Sequence, residues 1–120
     1  MEKIRDMEEM IEDCKKKQEP GEKMVFALGA GSIAPLPFDS PKVKKSKKQA
    51  VKYICNLDGF IGFHPIDLNS TMLLFETLND AKGAKNLLDC EGYEVGILIP
   101  ALVKDQYIEA VKKARKRFKR

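Results

Sequence analysis

Residues 71–99, TMLLFETLNDAKGAKNLLDCEGYEVGILI, constrain the fold more than any other stretch. Met72, Leu73, Leu74 and Phe75 form a short apolar run, and Tyr93, Val95, Ile97 and Ile99 alternate with period two. Between them Asn79 can cap a helix whose Ala81, Ala84, Leu87 and Leu88 share a face, and Gly92 suits a left-handed helix end. Strand, helix and strand in that order predict a right-handed βαβ crossover with the two strands parallel.

The segment before it reads as a hairpin. Asp58-Gly59 separates 51–57 from 60–66, and a two-residue turn with positive φ favours that pair. In this register Val51, Tyr53, Cys55, Leu57, Phe60, Gly62, His64 and Ile66 share one face. The other face gathers Ile54, Ile61 and Phe63 into an apolar patch that needs a cover, from the N-terminal helix or from a partner protein. The expected fold is therefore α+β, a two-layer sandwich. A mixed sheet of four or five strands carries a β-meander over 51–57, 60–66 and 71–77, and the strand 93–99 lies parallel to the third. Helices over 79–90 and 101–118 cover one face, with Pro100 opening the last helix. Residues 24–28 are a candidate edge strand.

Residues 1–20 read as an amphipathic helix ahead of a single α+β domain over 21–120. Ile4, Met7, Ile11 and Cys14 form its stripe, acids precede Lys15, Lys16 and Lys17 in the sense the helix dipole favours, and Pro20-Gly21 ends it. The chain, 120 residues with 43% hydrophobic, suffices for one core. No apolar run reaches the roughly 20 residues that span a bilayer, and the acidic N-terminus does not read as a signal peptide. Cys14, Cys55 and Cys90 are widely spaced beside a single histidine, which points to free thiols, a cytoplasmic setting and no metal site.

Motifs for chemistry are sparse. Gly29-Ala30-Gly31-Ser32-Ile33-Ala34 matches the dinucleotide pattern G-x-G-x-x-A, but Pro35 and Pro37 forbid the helix whose amides would meet a pyrophosphate. A loop over 29–40 is expected instead, with no cofactor. The one nucleophile–base pairing the hairpin register allows is Cys55 with His64, both directed at the core, so the chain reads as non-enzymatic apart from that pair.

Charge is the remaining signal. Residues 1–14 carry a net −4 and 58–94 a net −5, whereas 41–52 and 104–120 carry +6 each. Two readings of function follow. One is a small non-catalytic interaction or regulatory module that acts through protein contacts, with a homodimer as one form. The other is sequence-non-specific nucleic-acid binding through 42–52 and 112–120, using Lys42, Lys44, Lys45, Lys47, Lys48, Lys112, Lys113, Arg115, Lys116 and Arg117. Convergence of the two basic segments on one face would favour the second.

Overall fold

The structure, a computed structural model, describes residues 6–65 and 70–116. Its elements are α1 (Met7–Lys17), β1 (Glu22–Gly31), α2 (Pro41–Cys55), β2 (Phe60–Pro65), β3 (Ser70–Phe75), α3 (Leu78–Cys90), β4 (Val95–Lys104) and α4 (Asp105–Arg115). The α+β class and a four-stranded sheet are as expected. The topology is different. The strands run in the order β2-β3-β1-β4 and every adjacent pair is antiparallel.

β3 and β4 do point the same way, but β1 lies between them, so the crossover through α3 skips a strand. The crossover through α2 skips β3 in the same manner. This interleaving of two split βαβ units is the ferredoxin-like arrangement. The segment expected to be an optional edge strand is thus the centre of the sheet. Glu22–Gly31 runs for ten residues, and Val25, Phe26, Ala27 and Leu28 are all buried. A central strand with helical layers on both faces reads as a continuous apolar run, as this one does.

The largest correction concerns 41–55. The expected basic loop and the strand over 51–57 are one helix, so the meander reduces to the β2–β3 hairpin. The helix signals were present: Ser40 caps it by accepting from Val43 N at 3.3 Å, and Pro41 occupies its first turn. Lysine and alanine favour a helix, and Lys47, Ala50 and Ile54 follow a three–four spacing on its buried side. Val51, Tyr53 and Ile54, read as strand formers, are instead held in the helix by that packing. Asp58-Gly59 closes a helix-to-strand connection, with Gly59 at φ +79°.

α3 starts two residues earlier than an Asn79 cap implies, with Thr77 as its cap. Thr77 Oγ1 accepts from Asp80 N at 3.2 Å, and the same hydroxyl donates to Asp80 Oδ2 at 2.8 Å, which fixes the cap side chain. α1 is capped by Asp6, whose carboxylate accepts from Glu9 N at 2.8 Å. Ile4 and Ile66 lie outside the described residues.

Helices lie on both faces of the sheet, α4 on the face opposite α2 and α3. Phe26, Leu28, Leu73 and Phe75 pack beneath α2 and α3, through Ala50, Ile54, Ala81, Ala84 and Leu88. Met7 and Ile11 of α1 lie against the margin of this core. On the opposite face Val25, Ala27, Ile61 and Leu74 pack against Ile108 of α4. Gly62 makes the close approach of α4 possible, because a Cβ there would collide with Val111 Cγ1. Pro100 lies inside β4 rather than opening α4. β4 is an edge strand, the one place in a sheet where a missing N–H is tolerated.

Candidate functional site

The expected patch of Ile54, Ile61 and Phe63 does not exist. Ile54 is buried beneath α2, Ile61 is buried under α4 on the far side of the sheet, and Phe63 packs partly against the α2–α3 side. The Cys55–His64 pair is not formed either. Cys55 ends α2 inside the core, where burial pushes its thiol up and the Arg115 charge only partly opposes this. His64 is exposed on the other face, its ring edge-on to Tyr107 at 6.4 Å.

Among the described residues the two basic segments stand on opposite faces of the sheet, 42–52 on α2 and 112–116 at the end of α4. On α4, Arg115 reaches the end of α2. Its Nη2 donates to Leu57 O at 3.0 Å and to Cys55 O at 3.3 Å, and its Nη1 donates to Phe60 O. The guanidinium carbon also lies 5.3 Å from the Phe60 ring centre. A cation here complements the carbonyl end of α2, so this residue is a structural clamp. Lys112 pairs with Glu76 at 3.0 Å, and Lys23 joins the same carboxylate at 3.4 Å. These partners hold the Glu76 carboxyl below its ordinary range, the Lys112 hydrogen bond most of all. Lys113 and Lys116 remain exposed, and Arg117 lies outside the described residues.

On α2 the lysines divide by face. Lys47 is drawn inward to Asp39 at 2.7 Å, with both side chains about 10% exposed. That hydrogen bond, with one from Leu36 N at 2.8 Å, depresses the Asp39 carboxyl. Lys44 adds a weaker pull on the same group. Lys42, Lys45, Lys48 and Lys52 point to solvent. At 3.6 residues per turn they fall within roughly 120° of the helix circumference.

A feature the sequence reading missed lies on the α4 side of the sheet. α4 sits over β2, β3 and the Val25–Ala101 end of the sheet, leaving the outer part of β4 uncovered. Ile97 is 61% exposed and Ile99 39%. Their cross-strand neighbours on β1 are Gly29 and Ala27. Beside them a hollow of about 370 Å³ is floored by Gly29 and Gly31 and edged by Ser70 and Ile97. A groove of about 350 Å³ between His64, Met72, Val103 and Tyr107 extends the same face towards α4. The result is a flat apolar strip without a charged side chain at its centre. The period-two reading put Val95 and Ile97 on one face, but the ladder shifts between Gly29 and Ala30, so two β4 residues span one step of β1. Val95 therefore packs towards the helices while Ile97 turns outwards.

Among the described residues no cluster of three or more His, Cys, Asp or Glu could hold a metal ion, and no helix is long and apolar enough to cross a membrane. Comparison with protein-family models, with curated proteins and with solved structures finds no match for this chain.

Proposed function

We propose that this chain is a non-catalytic module that works through protein contact, and that the apolar strip around Ile97 and Ile99 is its contact surface. The exposure of Ile97 carries the reading: a β-branched side chain on a strand, opposite a glycine, 61% exposed and with none of the described helices packed over it. Strand addition along the β4 edge fits less well. Pro100 removes an outward donor and the irregularity at Gly96 twists the ladder, both devices that blunt an edge. The sheet face is the better surface.

A second copy of the chain is the partner that fits first. The charges that flank the strip are of opposite sign, Glu94 at the hollow and Lys104 at the groove, so two copies can meet antiparallel across a two-fold axis without bringing like charges together. Specific interfaces usually bury roughly 1,200–2,000 Å² in total, and a strip of a few side chains belongs at the low end, so reversible association is expected. Sedimentation velocity over a range of concentrations tests this. The wild-type chain should shift towards a dimer as concentration rises, and the Ile97→Lys/Ile99→Lys variant should remain monomeric at every concentration. A wild-type chain that is monomeric throughout, or a variant that associates equally well, would overturn the reading.

A further inference from the structure

We propose that the solvent face of α2 is a docking surface for the phosphodiester backbone of nucleic acid, independent of the apolar strip and of the cations on α4. Lys42, Lys45, Lys48 and Lys52 form one stripe, with Gln49 within it and Tyr53 at its edge. α2 contains no Asp or Glu, so no acid one turn away compensates the charge. Among the described residues none of the four stripe lysines takes part in an ion pair.

Helix stability does not account for the stripe. The N-terminal end of a helix carries partial positive charge and favours acids, yet the first turn of α2 has none and holds lysines instead. α1, in contrast, has Glu8 and Glu9 in its first turn and its lysines in the last. Lys52 in the last turn suits the dipole, but Lys42 in the first turn opposes it, and four such lysines on one face are complementary to an anionic partner. A bilayer surface is the less fitting anion. The apolar side of α2, through Ala50, Ile54 and Cys55, is committed to the core, and the apolar groups left exposed near its start, Phe38 and Val43, are single side chains rather than a helix face that could insert. Tyr53, 43% exposed at the edge of the stripe, offers a ring for stacking on a base or sugar.

Ten residues of helix separate Lys42 from Lys52, roughly 15 Å at 1.5 Å per residue, so the stripe spans several successive phosphates. Four phosphates neutralised give a log–log salt slope of about −3.6 on duplex DNA, by the rule of roughly −0.9 per contact. Affinity should then fall roughly 150-fold between about 50 and about 200 mM salt.

Fluorescence anisotropy with a mixed-sequence DNA duplex of about twenty base pairs tests this in the full chain. The wild type should bind at low salt with that slope and without preference for sequence. The Lys42→Gln/Lys45→Gln/Lys48→Gln/Lys52→Gln variant should lose binding, and the Lys15→Gln/Lys16→Gln/Lys17→Gln variant of α1 should keep it. Single variants such as Lys45→Gln, which leave helix propensity nearly unchanged, should each flatten the slope by about 0.9 even if the quadruple variant does not fold. No binding at low salt, a slope near zero, or equal loss in the α1 variant would overturn the proposal. So would binding to phosphatidylserine vesicles with none to DNA. Neither result bears on the dimer formed through Ile97, which is read by sedimentation.

Discussion

Ile97 stands opposite Gly29 in the β1–β4 ladder. A side chain in that place on β1 would lean on the isoleucine, and with glycine there Ile97 is left 61% exposed. An apolar residue already in water stabilises the monomer little. Ile97→Lys should therefore change the unfolding free energy by no more than about 0.5 kcal/mol, the usual range for surface positions away from special features. The same variant should abolish self-association. Urea denaturation at a concentration where both chains are monomeric measures the first effect, and a loss above about 2 kcal/mol would mean that Ile97 is a core residue.

Gly62 is the position on which the second helical layer depends. A methyl group there meets Val111 Cγ1 within the packed interface of α4 and β2. Gly62→Ala should cost about 1–3 kcal/mol, the usual range for overpacking. Val111→Ala in the same chain should recover part of the loss, because it removes the atom that clashes. Chemical denaturation of the two single variants and the double variant gives the coupling. Simple additivity would show that α4 does not rest on Gly62.

Arg115 ties α4 to the end of α2, since its guanidinium serves the carbonyls of Cys55, of Leu57 in the following loop and of Phe60 at the start of β2. Arg115→Met keeps much of the stem and removes the donors. Hydrogen bonds to charged groups contribute about 1.5–3 kcal/mol, and a loss in that range is expected, with faster amide exchange around Leu57. Arg115→Lys should recover only part of it, because a point charge cannot span three acceptors. Full recovery by lysine would show that charge alone suffices at this site.

Two carboxylates predict the response to acid. Asp39 and Glu76 are both held below their ordinary values, each mainly by a lysine hydrogen bond. A carboxyl depressed in the folded state contributes stability above its unfolded pKa, about 4, and loses it as pH falls through the lower folded value. Stability of the wild type should thus decline from about pH 4 downwards. Asp39→Asn should be less stable than the wild type near neutrality, and the gap should narrow in acid. Urea midpoints of both chains between about pH 6 and about pH 3 test this, and a constant gap would contradict it.

How much of this was legible in the sequence depends on which neighbours decided each element. The helix of Ala81, Ala84 and Leu88 and the short strand of Leu73, Leu74 and Phe75 are local patterns, and they stand where periodicity put them. The pairing of β1 between β3 and β4 depends on contacts 39 or more residues apart in sequence, which no local pattern encodes. α2 carried its own start signal in Ser40 and Pro41, but the Asp58-Gly59 pair matched a hairpin turn equally well and drew Val51 and Tyr53 into a strand. The lysines were legible as charge. That Lys47 turns inward to Asp39, that Arg115 and Lys112 are engaged, and that Lys42, Lys45, Lys48 and Lys52 form one face required the helix. Ile97 was hidden by a one-residue irregularity at Gly96, since a single extra residue reverses every side chain beyond it.

The most direct test of protein contact through the sheet face is site-specific photo-crosslinking of the purified chain from position 97. A benzophenone side chain in place of Ile97 should give, on irradiation at a concentration that favours association, one product of twice the chain mass. Peptide mapping should place its far end on the same face of the second copy, at Ile97, Ile99 or Met72. An adduct that forms from a control position on α4, such as Lys113, but not from 97 would contradict the account. So would a far end that maps to α1 or α2.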